Sequence, residues 1–108
     1  MGAKSRRKGN VGELEWVHLL RGQGFSTAER DLSQTRDGGG DIVLPPFLYE
    51  VKRYHKIAVR KWLDEAQASV VNYKGVEIPV VAMREDGRKD WMVLLRAEDF
   101  LNLLKIVT

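Results

Sequence analysis

Two short apolar runs in the stretch GGGDIVLPPFLYEVK, residues 38–52, decide the fold of this chain. Asp41–Leu44 is rich in β-branched residues, and residues 47–52 have the composition of a second strand. Pro45 and Pro46 break the sequence between them. Two strand-like runs with a short break predict a β-hairpin. Because neither proline supplies the positive φ of the tightest hairpin turns, we expect a loop wider than two residues.

The hairpin would gather charged side chains on one face of a sheet. Side chains on a strand alternate between faces, so Glu50 and Lys52 are predicted to share one face. Tyr49 and Val51 then take the opposite, apolar face. If the chain turns around the two prolines, Asp41 lies opposite Glu50, and opposed residues of antiparallel strands have Cβ atoms roughly 5 Å apart. Two carboxylates would therefore converge beside an ammonium group.

This arrangement favours metal-dependent chemistry on a phosphodiester. Close carboxylates repel each other unless something neutralises them, and one or two carboxylates with water and substrate phosphate commonly hold Mg²⁺. A bound metal polarises a phosphoryl oxygen and activates water, while Lys52 would orient the water or stabilise charge on the phosphate. The alternative is an ordinary hairpin with a surface Glu–Lys pair and a capping Asp.

Further helices and strands are predicted on both sides of the hairpin. Asn10 with Glu13 three residues later predicts a helix start of the capping-box kind, and Gly22 and Gly24 predict its end. This first helix would span residues 10–22. The other predicted segments are an edge strand at 25–30, a polar loop at 31–40, a helix at 59–73, a strand at 78–83, a charged turn at 84–89, a strand at 91–95 and a helix at 98–106.

The order helix, three strands, helix, two strands, helix predicts an α/β fold. We expect a central mixed five-stranded sheet flanked by helices. The 108 residues suit one compact domain, spanning residues 1–108. Residues 1–9 are basic and are predicted to form a flexible basic arm.

Composition excludes several classes of function. The chain has no cysteine, which excludes disulfides, cysteine zinc sites and thiol catalysis. No apolar stretch approaches the ~20 residues that span a bilayer, and the basic N-terminus lacks the apolar core of a secretory signal. We therefore expect no membrane partner and an intracellular protein, in the cytoplasm of a prokaryotic cell or of a virus-infected host.

The sequence contains two clusters of basic residues, although the net charge is only +3. Such clusters suit a nucleic-acid backbone, where each contact with phosphate releases counterions. The alternative is a solvated surface, but the second cluster adjoins the carboxylates of the hairpin. The predicted DNA-binding residues are Arg6, Arg7, Lys8, Arg53, Lys56, Arg60 and Lys61.

Glu13 is a further candidate for the site. On a helical wheel it falls among Trp16, Val17 and Leu20, and a charged residue at core positions needs a partner or a metal. The alternative is a capping role. Glu15 lies on a different face and is interpreted as an ordinary surface residue.

Together these residues resemble the archaeal Holliday junction resolvases, a branch of the PD-(D/E)XK nuclease superfamily. The similarity lies in short motifs in the family's order: Arg7-Lys8-Gly9, Glu13, Leu19-Leu20, Gly24-Phe25, Ser33, Asp41-Ile42-Val43, Glu50-Val51-Lys52, the strand at 78–82 and Trp91. The loop before Asp41 departs from the superfamily, because it is glycine-rich and lacks the proline often found there.

The resemblance implies a restriction-endonuclease-like fold and a role for each matched residue. Glu13, Asp41 and Glu50 would bind Mg²⁺, with Mn²⁺ as a substitute, and Lys52 would be the catalytic lysine. Ser33 would assist on its loop. Arg7 and Lys8 would contact the DNA backbone. The family acts as a homodimer on opposed strands of a four-way junction.

The resulting prediction is a metal-dependent, structure-selective DNA endonuclease, and the favoured activity within this class is that of a Holliday junction resolvase. Gln67 is an accessory candidate, since some superfamily members place a Gln of the following helix at the active site. The alternatives are another PD-(D/E)XK DNA nuclease, of nicking, repair or restriction type, or a non-catalytic DNA-binding module.

Overall fold

The computed structural model describes residues 3–31 and 41–107, with side chains for residues 9–31 and 42–107. It confirms the α/β class and the mixed five-stranded sheet flanked by helices. No described helix combines the length and apolar character needed to cross a membrane. The elements are α1 (Ala3–Gly22), β1 (Glu29–Asp31), β2 (Asp41–Leu44), β3 (Phe47–Tyr54), α2 (Val59–Asn72), β4 (Ile78–Glu85), β5 (Met92–Leu94) and α3 (Ala97–Val107).

The strands lie in the sheet in chain order, β1-β2-β3-β4-β5. Only β3 and β4 are parallel among the paired strands, and α2 makes the crossover that a parallel pair requires. The predicted hairpin is confirmed, with Leu44 opposite Phe47. Its turn consists of Pro45 and Pro46 alone, joined by a cis peptide bond, so the expected wider loop was wrong.

The sheet separates two apolar layers. On one face, Tyr49 of β3 and Val80 of β4 pack with Trp16 of α1. On the other face, Tyr54 and Val81 pack with Trp62 of α2. The aromatic rings reinforce both layers, with centroids 5.3 Å apart for Trp16 and Tyr49 and 5.0 Å apart for Tyr54 and Trp62. The odd-numbered residues of β3 thus face α1, and the even-numbered ones face α2.

The start of α1 differs from the sequence prediction. The helix begins at Ala3, so the part of the predicted flexible arm from residue 3 to 9 is helical, and Asn10 is not an N-cap. Ala, Lys and Arg are strong helix formers, which favours extension through this basic segment. Asn10 instead accepts a hydrogen bond from Arg30 through Oδ1, at 3.3 Å. The predicted loop at 31–40 lies outside the described residues apart from Asp31, which ends β1.

Candidate active site

Strand β3 presents Glu50 and Lys52 side by side on the face covered by α2. The Nζ of Lys52 lies 3.5 Å from Oε1 of Glu50. Both side chains are about four-fifths buried, which reduces the screening of their charges by water. Val51 and Tyr49 pack in the opposite layer with α1. The predicted placement of Glu50 and Lys52 on one face of β3 and of Tyr49 and Val51 on the other is therefore confirmed.

Helix α2 adds two residues that the sequence analysis missed. Ser69 donates a hydrogen bond through Oγ to Oε2 of Glu50, at 3.4 Å. Glu65 lies one helical turn earlier, with Oε2 3.6 Å from Nζ of Lys52. Lys52 thus lies between two carboxylates. The available signal was the spacing of four residues between Glu65 and Ser69, which puts both on one side of the helix.

One carboxylate oxygen of Glu65 remains available to accept a hydrogen bond. Its Oε1 is buried and accepts no hydrogen bond within the described part of the chain. An unsatisfied buried oxygen costs free energy, and a water or a cation at this position would offset the cost. This oxygen can therefore accept a hydrogen bond from a further positive or hydrogen-donating group.

The backbone of β2 brings position 41 to this site. The hairpin register pairs Ile42 with Tyr49 and Val43 with Leu48, so one further step sets Asp41 opposite Glu50. Ile42 is buried in the layer with α1, which assigns position 41 to the face of Glu50. The side chain of Asp41 lies outside the described residues, as does Ser33.

Glu13 lies on the α1 side of the sheet, where Arg30 holds its carboxylate. It is only 5% exposed and lies in the interior of α1, so it is not a capping residue. Arg30 of β1 binds its Oε1 through Nε at 3.0 Å and Nη2 at 2.8 Å. Arg30 is the register partner of Ile42, which places this pair on the α1 face of the sheet. The structure thus separates Glu13 from Glu50, and its metal role stays a prediction.

Arg53, a predicted DNA-binding residue, forms ion pairs on the α1 face. It contacts Glu15 at 3.2 Å and Asp86 at 3.5 Å. Arg84 of β4 binds the same Glu15, at 3.1 Å. Glu15 is therefore the centre of an ion-pair cluster, and its interpretation as an ordinary surface residue was wrong. Arg53 lies on the α1 face, away from Lys52, because consecutive residues of β3 point to opposite faces of the sheet.

Gln67 is also placed away from the site. Its Oε1 accepts a hydrogen bond from Arg96 at 3.2 Å, and it lines an open cavity of about 410 Å³ between α2 and the start of α3. Its predicted accessory contact with the site is not present in the described structure. Residues 67 and 69 differ by about 200° around the helix, so only one of them can face β3.

The remaining basic candidates divide into two groups. The backbone of Arg6, Arg7 and Lys8 lies in α1, and their side chains lie outside the described residues. The others are exposed in the β3–α2 connection and the first turn of α2, close in sequence to the end of the strand that carries Lys52. They are Lys56, Arg60 and Lys61.

Of the three predicted metal ligands, Glu13 and Glu50 have described side chains, and these lie on opposite faces of the sheet. Among the residues whose side chains are described, no group of three or more Asp, Glu, His or Cys is placed to hold a metal ion. Extending the hairpin register by one residue beyond Ile42 and Tyr49 would set Asp41 opposite Glu50, and Mg²⁺ is commonly held by one or two carboxylates with water and phosphate. Comparisons of the chain with protein-family models, with curated proteins and with solved structures found no match.

Proposed function

We propose that this protein is a Mg²⁺-dependent DNA endonuclease with a restriction-endonuclease-like fold, and specifically a Holliday junction resolvase. One observation supports it above the others: the hairpin pairs Ile42 with Tyr49, so the next position, Asp41, would lie opposite Glu50, which has Lys52 beside it on the same face. Carboxylates on adjacent strands next to a lysine are the groups that phosphodiester hydrolysis needs. The family resemblance of the motifs gives the substrate, a four-way DNA junction.

Asp41 and Glu50 would hold the metal. When bound, Mg²⁺ polarises a phosphoryl oxygen and lowers the pKa of a water. The largely buried position of Glu50 strengthens its attraction for a cation, because screening by water is reduced there. Ser69 keeps Glu50 in place through its hydrogen bond. Mn²⁺ accepts the same oxygen ligands and is expected to substitute.

Lys52 would act on the phosphate. Its ammonium group is a compact charge with three donors, and on the face of Glu50 it can donate a hydrogen bond to a phosphate oxygen that gains negative charge. Glu50 and Glu65 hold the ammonium group between them, at 3.5 and 3.6 Å. The lysine is therefore positioned before DNA binds, which reduces the reorganisation needed in the reaction.

The DNA backbone would cross the start of α2. Lys56, Arg60 and Lys61 are exposed there and provide positive charge next to the strand that carries the site. Arg53 is not part of this surface, since its guanidinium is engaged with Glu15 and Asp86. Cleavage of two opposed strands requires two sites in fixed geometry, so the proposal includes a homodimer.

The test is cleavage of a labelled four-way junction beside a linear duplex of the same sequence, with Mg²⁺, with Mn²⁺ and without metal. We expect paired, metal-dependent cuts in the junction. Asp41→Asn and Glu50→Gln should each lower the rate at least ~100-fold and retain binding, because the change removes a metal ligand and leaves the basic surface.

Glu29→Gln is the matched control, because Glu29 is an exposed carboxylate on the edge strand β1, and it should cleave like the parent. Equal cleavage of duplex and junction would replace the resolvase with a broader nuclease. Binding of DNA without product under any metal condition would contradict the enzyme and leave a binding module.

A further inference from the structure

Lys52 is shared between two carboxylates on the α2 face of the sheet. Its Nζ lies 3.5 Å from Oε1 of Glu50 and 3.6 Å from Oε2 of Glu65. A charge-assisted hydrogen bond between such groups measures roughly 2.7–2.9 Å, so the ammonium group lies almost midway, and a shift of about 1 Å would bond it to either carboxylate. The flexible stem of lysine allows this shift without movement of the backbone.

Both oxygens of Glu50 already have partners on this face. Ser69 donates a hydrogen bond to Oε2 at 3.4 Å, and the ammonium group of Lys52 faces Oε1. An ammonium group at Oε1 would repel a cation bound to the same oxygen, because water screens the two charges only weakly at this largely buried carboxylate. Use of Oε1 as a metal ligand therefore requires that Lys52 move away from it.

Glu65 provides the place to which Lys52 can move. Its Oε2 already faces the ammonium group, and its Oε1 is buried and accepts no hydrogen bond within the described part of the chain. An ammonium group has three donors, so it can serve both oxygens. The move would also remove the free-energy cost of an unsatisfied buried oxygen. Because Glu65 has this capacity, Glu50 can lose the ammonium group without leaving a buried cation unpaired.

We propose that Glu65 controls metal affinity at Glu50: it takes over the ammonium group of Lys52 and thereby frees Oε1 of Glu50 for the cation. Glu65 is then a positioning residue that acts through Lys52 and is not itself a ligand. The inference rests on the proposed function, because that function makes Glu50 a metal ligand. It adds that a residue of α2 determines how tightly the metal is held.

The first experiment measures Mn²⁺ binding to the full chain without DNA, by electron paramagnetic resonance of the free ion. The site is identified by its loss in Glu50→Gln. Glu65→Gln should weaken binding about three- to tenfold, because Lys52 then keeps Glu50 as its carboxylate partner. Lys52→Met should tighten binding, since it removes the competing cation, and Glu65→Gln in the Lys52→Met background should have no further effect.

Asp64→Asn is the matched control. It removes an exposed carboxylate from the same turn of α2 and should change binding less than about twofold, because exposed charges are screened. If Asp64→Asn weakens binding as much as Glu65→Gln, the effect is one of net charge and the proposal is overturned. Equal weakening by Glu65→Gln in both backgrounds would make Glu65 a direct ligand and overturn it as well, as would unchanged binding in Glu65→Gln alone.

A second measurement follows the lysine itself, by nuclear magnetic resonance of the Lys52 ammonium group. In the parent, saturating Mg²⁺ should shift the nitrogen resonance and leave the ammonium protons slow to exchange, because Glu65 holds them. In Glu65→Gln the same addition should bring fast exchange with water, and the backbone amide spectrum of each sample shows that the variant is folded. An unshifted resonance in the parent would mean that Lys52 stays at Glu50 and would overturn the proposal.

The inference and the proposed function can fail separately. A parent that binds no Mn²⁺ at Glu50 would overturn both. A parent that binds Mn²⁺ with the expected dependence on Glu65 and Lys52, but cuts no DNA, would overturn the nuclease and retain the exchange of Lys52 between the two carboxylates.

Discussion

Substitution of two glycines in α1 tests how closely this helix packs on the sheet. A Cβ added at Gly12 would lie 2.7 Å from Cγ of Arg53, which is closer than real Cβ contacts allow. A Cβ added at Gly9 would meet no atom within 4 Å among the described residues. Gly9→Ala and Gly12→Ala therefore make the same change to helix propensity and differ only in what the new methyl group contacts.

The expected free energies follow from these contacts. Alanine in place of glycine inside a helix stabilises by about 1 kcal/mol, so Gly9→Ala should raise the free energy of unfolding by this amount. At Gly12 the same gain is opposed by displacement of the Arg53 stem. Overpacking costs about 1–3 kcal/mol, and the contacts of Arg53 with Glu15 and Asp86 are weakened as well. We expect Gly12→Ala to destabilise by about 1 kcal/mol net.

Urea unfolding followed by circular dichroism measures both values. The difference between the two variants should be about 2 kcal/mol, which is the overpacking cost alone, because the gain in helix propensity is common to both. In an Arg53→Ala background the obstruction is absent, so Gly12→Ala should become stabilising. If Gly12→Ala stabilises the parent as much as Gly9→Ala does, the close approach of α1 to Arg53 is refuted.

Two further predictions concern the opposite face of the sheet and its core. Glu65→Gln should lower kcat for junction cleavage about tenfold with little change in KM, because Lys52 loses one of its two carboxylates. Asp64→Asn changes an exposed neighbouring carboxylate and is the control. Equal kcat values for Glu65→Gln and the parent would contradict the role of Glu65 in positioning Lys52. Burial raises the pKa of Tyr49 above 10.0, so the unfolded state loses this proton first and stability falls as pH rises past 10. In urea unfolding at pH 9 and 11, the free energy of unfolding should fall less for Tyr49→Phe than for the parent. An equal fall in both proteins would refute this prediction.

Local patterns in the sequence predicted the sheet well. The β-branched run Asp41–Leu44, the proline pair and the alternation from residue 47 onward predicted the hairpin, its register and the common face of Glu50 and Lys52, all of which the structure confirms. Helical spacing predicted α2 to within one residue. These features depend on neighbours in sequence, and for that reason they can be read without knowledge of the tertiary fold.

Contacts between distant elements were not predictable in the same way. Arg53 was interpreted by its proximity in sequence to Lys52, whereas its partners Glu15 and Asp86 come from α1 and the end of β4. Glu65 was missed because nothing in its own segment indicates that β3 places Lys52 above it. Such pairs depend on the register of α1 and α2 against the sheet, which no local pattern specifies.

The two faces of the sheet also limit which carboxylates can share a metal ion. Glu13 is held by Arg30 on the α1 face, and its carboxylate could join Glu50 only by leaving that guanidinium. Separating a buried carboxylate from its partner costs several kcal/mol. Glu65 meets no such obstacle, because it already lies beside Lys52 on the α2 face. For the proposed metal site, we therefore expect Asp41 and Glu50 as ligands, with Glu65 supporting the lysine and Glu13 stabilising the packing of α1.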